Sequence, residues 1–217
     1  MTSVGSDRER FAAFLLRARS QGVPDNGLFK AVEAVPRVQF VPEDHIDVVW
    51  TNQSLPIPCG EAIEAIDLQA KVLGALEIIA GQRVLEIGTG SGFTAAVMAR
   101  MGAKVRSIDR YKTLAAAAQE RFAALGFGNA VATQADGSKL PGSEGPFDRI
   151  VAWAAFAELP RKYVDLLATG GIMVAPVGPG EGVQQLARLT KVGSRFERED
   201  IARVRMQPLI PGVAAAL

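Results

Sequence analysis

Hydrophobic positions change their period once along the 217-residue chain, near residue 80. Before that point they recur every three or four residues, the spacing that lines one face of an α-helix. Phe11, Phe14, Leu15 and Ala18 do so within residues 6–20, with Arg and Glu between them and Gly22 beyond, which predicts an amphipathic helix with a stop signal. Leu28, Val32 and Val35 form a second stripe that ends at Pro36, because proline cannot continue the hydrogen-bond ladder. Residues 37–60 carry Pro42, Pro56, Pro58 and Gly60, punctuation that predicts an extended connecting loop. Apolar residues at 63, 66, 73, 76 and 79 then predict a third helix from Ile63 to Ile79, leading into the turn Ala80-Gly81-Gln82.

Beyond the turn, short β-rich runs take over: RVLEIG (83–88), KVRSI (104–108), AVATQ (130–134), RIVAW (149–153) and IMVAPV (172–177). Helical stretches are expected between them over Gly92 to Met101, Tyr111 to Leu125 and Pro160 to Leu167. Such βαβ alternation implies an α/β fold with a mostly parallel sheet and helices on both faces. After Pro179-Gly180-Glu181-Gly182, the runs QQLARLTKV and DIARVRM flank Gly193-Ser194, which predicts antiparallel C-terminal strands closing one edge. The AAL tail after Gly212 is expected to fray. The organisation expected is an N-terminal helical extension with a substrate loop over 1–79 and a ligand-binding α/β domain over 80–217.

Composition narrows the partners. Lys and Arg number 24 against 23 Asp and Glu, a net charge of +1, which argues against nucleic acid or a membrane surface because both attract clustered excess cations. A single cysteine permits neither an intramolecular disulfide nor a multi-cysteine zinc site, so no metal is expected and a reducing, cytoplasmic setting fits. Asp7, Arg8, Glu9 and Arg10 interrupt what would be the apolar centre of a signal peptide, and no run approaches the roughly 18 apolar residues that a span requires.

The densest signal is Val84-Leu85-Glu86-Ile87-Gly88-Thr89-Gly90-Ser91-Gly92, an apolar strand running into a glycine turn and then a helix. Gly88 and Gly90 let backbone approach a nucleotide-like ligand, and Gly92 opens the helix. A dinucleotide fingerprint, G-x-G-x-x-G, would place glycine at 93, where Phe93 stands. Glu86 would aim a carboxylate at the ligand, which suits a cationic amino group and repels a phosphate; S-adenosylmethionine carries such an ammonium and no phosphate. Asp109, 21 residues beyond Gly88 at the end of the second strand, is placed to accept hydrogen bonds from ribose hydroxyls. Asp136, before Gly137 at the same sheet edge, is placed to meet the adenine amino group.

With these residues in view, the chain resembles the protein L-isoaspartate O-methyltransferase family over most of its length. The likeness is carried by Val35-Pro36-Arg37 with Phe40-Val41-Pro42, Leu55-Pro56-Ile57, the glycine motif, Asp136-Gly137, Pro146-Phe147-Asp148, Gly170-Gly171, Pro176-Val177-Gly178 and Pro208-Leu209. The resemblance implies a Rossmann-like S-adenosylmethionine-dependent methyltransferase fold, S-adenosylhomocysteine as product, and methyl transfer to isoaspartyl carboxylates of damaged proteins. It implies cofactor contacts at Glu86, Gly88, Gly90, Ser91, Gly92, Asp109 and Asp136, with Ile87, Thr89, Arg110 and Gly137 completing that side. The substrate side expected is Ile57, Pro58, Gly60, Ala62, Ile63, Trp153 and Phe156. A peptide or protein substrate and a monomer or weak dimer are expected.

Departures from the family concentrate after the Leu-Pro-Ile turn. Where the family usually reads Gly-Gln-Thr-Ile-Ser, this chain reads Gly60-Glu61-Ala62-Ile63-Glu64, so Ala62 stands at the Thr position and Glu64 at the Ser position. Trp153 of Ala152-Trp153-Ala154-Ala155-Phe156 replaces a Thr of a second substrate-side segment. Two carboxylates about 4 Å apart repel by roughly 4 kcal/mol at an effective dielectric near 20, nearly three decades in affinity. An ionised Glu64 facing the acceptor would therefore weaken an isoaspartyl substrate. The competing reading puts Glu61, Glu64 and Asp67 in the first turns of the third helix, where acids complement the dipole and Asp67 pairs with Lys71. A different acceptor, or a non-catalytic cofactor-binding module, are the alternative functions left open.

Carboxyl methylation itself asks for little, since an α-carboxylate with a pKa near 3.5 is already a nucleophile at neutral pH. Only a hydroxyl or amine acceptor would need a base, and Glu64 is the candidate. His45, between Asp44 and Ile46, reads as a solvated loop residue and Cys59 as a small filler. Trp153 and Phe156 could either stack on a substrate or cap the sheet, and Tyr111 is placed to pack near adenine.

Overall fold

Alternation of β-branched and small apolar residues in the C-terminal two thirds of the chain builds strands whose two faces are both buried, and the amphipathic N-terminal segments cover one of them. The computed structural model describes residues 7–140 and 142–215. Ser6, at the start of the first expected helix, and the last two residues of the AAL tail lie outside the described residues.

Helices α1 (Asp7–Ser20), α2 (Leu28–Ala34) and α3 (Ile66–Leu76) precede the sheet. A two-stranded hairpin, β1 (Leu55–Ile57) and β2 (Glu61–Ile63), stands between α2 and α3. The main sheet comprises β3 (Arg83–Ile87), β4 (Lys104–Asp109), β5 (Ala130–Gln134), β6 (Phe147–Ala152), β7 (Leu167–Val177), β8 (Gln184–Val192) and β9 (Arg195–Val204), in the order β5-β4-β3-β6-β7-β8-β9. Pairings from β5 through β7 are parallel, and β7-β8 and β8-β9 are antiparallel. Helices α4 (Phe93–Arg100) and α5 (Lys112–Ala124) make the crossovers from β3 to β4 and from β4 to β5. The mostly parallel α/β sheet with an antiparallel edge is as expected.

Strand alternation divides the interior in two. Val84, Val105, Val151, Ile172 and Val174 point to the side where α1 to α5 bury Phe14, Val32, Leu73, Phe93 and Phe122. Leu85, Ile87, Ile150, Met173 and Leu189 point to the other side, against Phe156, Tyr163 and Leu166. That second face is covered by connections with the short 3₁₀ helices Gly142–Glu144 and Arg161–Tyr163.

Helices were expected on both faces, but among the described residues α1 to α5 all pack in the first core and the second face carries only 3₁₀ turns. Three further expectations are corrected. The segment 37–60 is not plain loop: it holds 3₁₀ turns at Arg37–Phe40, Glu43–Val48 and Pro58–Gly60, besides β1, because proline blocks an α-helix yet tolerates a short turn or edge strand. The third helix starts at Ile66 rather than Ile63, since Ile63 pairs with Leu55 in the hairpin. Pro160 to Leu167 makes one 3₁₀ turn and no α-helix. Its end is taken by the sheet, where the Phe147 amide donates to the Leu166 carbonyl and Leu167 begins β7; periodicity alone does not distinguish such a short apolar run from a strand.

The helical turn at the end of the glycine motif is seated by contact with α5. Gly92 has φ 88°, and a Cβ there would lie 2.9 Å from the Ala118 Cβ and 3.0 Å from Phe122. Gly92→Ala is expected to lose about 1–3 kcal/mol, through left-handed strain and overpacking together. Denaturant unfolding with an unchanged midpoint would show that α5 moves aside without cost.

Candidate active site

Parallel strands align their carboxyl ends on one edge, and ligands of open α/β sheets bind where neighbouring connections leave in opposite directions. Here β3 connects toward β4 and lies beside β6. A solvent-open cleft of about 720 Å³ occupies that point, floored by Ile87, Gly88, Gly90, Ile108 and Asp109. Arg110, Tyr111, Leu114 and Gly137 form one wall, and Trp153, Ala154 and the segment Gln207 to Ile210 form another. Ile57, Glu61 and Ala62 of the hairpin close the remaining side.

Asp109 ties this floor together. Its Oδ2 accepts from the Gly90 amide at 3.0 Å and its Oδ1 from the Tyr111 amide at 2.9 Å. The residue is 7% exposed, and burial raises its carboxyl above the ordinary aspartate range, against the backbone donors that favour the anion. A carboxylate offers about four acceptor sites, so two amides leave capacity for a pair of ligand hydroxyls. Gly88 and Gly90 carry φ values of 93° and 53°. A Cβ on Gly88 would approach the Trp153 Cβ to 3.2 Å, which is the physical reason for glycine under that indole.

A smaller recess of about 330 Å³ continues past the glycine turn and shares Ala62, Gly88, Gly90 and Trp153 with the cleft. Its other lining residues include Ile63, Glu64, Gln69, Thr89, Ser91 and Thr94. Glu64 is half-buried, and desolvation raises its carboxyl, partly opposed by a 3.4 Å hydrogen bond from the Ser54 hydroxyl.

Residues 9–214 match the protein-L-isoaspartate(D-aspartate) O-methyltransferase family. The chain belongs to that family. It is 44% identical to the protein-L-isoaspartate O-methyltransferase of Rhizobium meliloti (strain 1021), over 93% of this chain and 99% of that protein. Its match to the enzyme of the same name from Azorhizobium caulinodans is 42% over the full length of both. Among solved structures, a Plasmodium falciparum protein described as a putative protein-L-isoaspartate O-methyltransferase in complex with S-adenosyl-L-homocysteine superposes with a TM-score of 0.77 at 23% identity, covering 91% of this chain and 97% of that one. That likeness is one of fold.

Set beside what the family resemblance implied, Ile87, Gly88, Gly90, Asp109, Arg110 and Gly137 line the cleft, while Thr89 and Ser91 line the recess. Asp136 is beside the cleft without lining it. Its Oδ1 accepts from the Ser138 amide, and although desolvation works to raise its carboxyl, hydrogen bonds from Ser138 hold it below the usual range. Ile57 and Ala62 face the cleft, Ile63 the recess, and Pro58 an adjoining apolar groove with Phe40 and Leu114. Gly60 is an exposed turn residue with φ 73°.

Glu86 requires correction. Strand alternation turns it away from the cleft floor, toward α4, and it is 0% exposed. Its Oε1 accepts from Thr94 at 2.5 Å and from the Trp153 indole at 3.0 Å, and its Oε2 from Ser107 at 2.6 Å. Burial outweighs these donors and raises its carboxyl to about 7. Phe156 is corrected too: it is buried in the second core, edge-on to Tyr163 at 5.4 Å, and so caps the sheet rather than facing a substrate.

Of the three acids expected in the first turns of the third helix, only Asp67 is there. Glu61 lies in β2, Glu64 precedes α3, and Asp67 pairs with Arg17 at 2.9 Å rather than with Lys71. Cys59 sits at φ 68° against the hairpin cluster, and burial, Asp109 and Glu61 raise its thiol, which fits a filler. His45 lies in a 3₁₀ turn and lines neither cavity. Missed from the sequence were Gln69, which carries no motif signal, and the place of the strap from Gln207 to Ile210 in the cleft wall, although Pro208-Leu209 was among the motifs of the family likeness.

Because the folded state holds Glu86 at a higher pKa than the unfolded chain does, it binds the proton more tightly between about pH 4.5 and 7. Its contribution to stability is thus present below that window and lost as pH rises through it. Glu86→Gln is expected to remove this loss, so thermal midpoints of variant minus wild type should increase from pH 5 to pH 8; a constant difference would contradict the assignment.

Proposed function

We propose that the chain is an S-adenosylmethionine-dependent methyltransferase that esterifies isoaspartyl carboxylates in damaged peptides and proteins. The observation that carries this reading is the cleft at the carboxyl ends of β3 and β4, where buried Asp109 and the Gly88–Gly90 turn converge, in a chain matched to the family over residues 9–214. The name shared by its relatives supplies the acceptor class.

The residues suit the cofactor on structural grounds. The side-chain-free turn leaves room over the first strand, Asp109 retains acceptor capacity, and Leu114, Ile108 and Leu209 give the cleft apolar walls fit for a purine. When bound, S-adenosylmethionine supplies an electrophilic methyl group and is left as S-adenosylhomocysteine. Asp109 would hold the ribose hydroxyls, Gly88 and Gly90 would admit the chain of the ligand against backbone, and Ala62, Ala154 and Trp153 would shape the side from which an acceptor enters.

No group in the cleft has to remove a proton, because the acceptor carboxylate is already ionised at neutral pH. What the protein supplies is alignment and exclusion of water, a proximity effect of up to several kcal/mol. Residues 1–79 contribute the substrate-side hairpin and residues 80–217 the cofactor side. Near-zero net charge supports a peptide or protein substrate over nucleic acid. No helix among the described residues is long and apolar enough to cross a membrane. A cytoplasmic location accords with the single cysteine.

The direct test is transfer of labelled methyl from S-adenosylmethionine to an isoaspartyl peptide, with the matching aspartyl peptide as control. Base-labile label on the isoaspartyl peptide alone is expected; no label on it would reject the acceptor. Asp109→Ala should weaken cofactor binding at least about tenfold by calorimetry, the scale of lost hydrogen bonds to a charged group.

A further inference from the structure

Trp153 lines both the cleft and the recess, and the one polar atom of its ring is already used. The residue follows β6, and its amide donates to the Ile87 carbonyl at 2.9 Å, which ties its backbone to the exit of β3. Its indole N–H donates to Glu86 Oε1 at 3.0 Å. An indole nitrogen donates and does not accept, so what the half-buried ring still offers a ligand is carbon surface.

The ring is held from below by a network. Glu86 is 0% exposed, and Thr94 of α4 and Ser107 of β4 donate to the same carboxyl at 2.5 and 2.6 Å. The Ser107 hydroxyl in turn lies 2.7 Å from that of Thr89 in the glycine turn. At the other end of the side chain, a Cβ on Gly88 would come within 3.2 Å of the Trp153 Cβ. A flat ring fixed at both ends has little freedom left to lose when a partner packs on it. Around it, Ala154 and the hairpin residues Ala62 and Ile57 line the cleft with alkyl groups. Ala62 and Trp153 both stand where the family usually reads threonine, so two hydroxyls of the acceptor side give way to apolar surface.

We infer that Trp153 is a specificity-determining residue for the acceptor, selecting peptides with an apolar side chain, aromatic above all, next to the isoaspartate. Glu86 is the positioning residue that holds the indole for this contact. The inference rests on the isoaspartyl reading above and narrows it to a class of peptide, recognised beside the acceptor by ring contact in place of hydroxyl groups.

Initial-rate kinetics on two isoaspartyl peptides of equal length are the test, one with Phe on both sides of the isoaspartate and one with Ser. Wild type is expected to show a KM about 2- to 10-fold lower for the Phe peptide, the scale of one aromatic contact. Trp153→Thr is expected to bring the two KM values together. Because the ratio is taken within one protein, a loss of activity common to both peptides cancels. Glu86→Gln keeps an oxygen for the indole and should keep the ratio, whereas Trp153→Phe keeps a ring without an N–H for Glu86 and should reduce it. Equal KM values in wild type, or an undiminished ratio in Trp153→Thr, would overturn the specificity role, and an undiminished ratio in Trp153→Phe the role of Glu86. Wild type that methylates neither peptide would overturn the isoaspartyl reading, and this inference with it.

Discussion

The Asp109 carboxylate, held between the amides of Gly90 and Tyr111, is the contact on which the site depends. It joins the turn that leaves β3 to the turn that leaves β4, so the two connections that open the cleft cannot move independently. Glycine at 90 permits the left-handed turn that brings its amide within reach. The cost is a carboxylate removed from water, visible as its raised pKa, and two backbone donors offset part of it. A ligand that adds hydroxyl donors offsets more, which couples binding to the order of the floor.

A second buried acid acts from behind. Glu86 gathers Thr94 from α4, Ser107 from β4 and Trp153 from the end of β6, so one side chain links three elements under the turn. The indole is thereby drawn across Gly88, whose missing Cβ leaves the space. Buried polar clusters of this kind are favourable only when every member is satisfied, and here the raised pKa of Glu86 shows that burial still dominates. The hairpin covers the turn from above, with Ile57 and Ile63 each 3.6 Å from where a Cβ on Gly90 would lie. Glu64, next in the chain, is carried with it to the recess.

Much of this was legible in the chain. The change of hydrophobic period near residue 80 separated the helical extension from the sheet, and five β-rich runs located the parallel strands. The glycine turn and Asp109 were placed by the strand-turn-helix order around them. What misled was orientation. Glu86 lies two residues before a glycine, and nearness in sequence suggested nearness to a ligand, whereas strand alternation turned its side chain to the helix face with Val84. Phe156 stands at a strand exit, but a bridge to Val177 draws it into the core. The run 160–167 has helical spacing, yet it makes only a 3₁₀ turn and its last residue, Leu167, pairs in the sheet.

The sequence by itself determined the fold class, the family and the loop that meets a nucleoside, because each rests on local order: period, a glycine turn, an acid one strand later. Tertiary structure decided which acid faces which cavity. Arg37 and Gln69 are 32 residues apart and meet only because α3 packs beside the 3₁₀ turn after α2. Segments that bear no local relation to the glycine turn, Gln69 in α3 and the strap at Gln207 to Ile210, reach the site through packing of apolar faces, and no short-range pattern encodes where those faces come to rest.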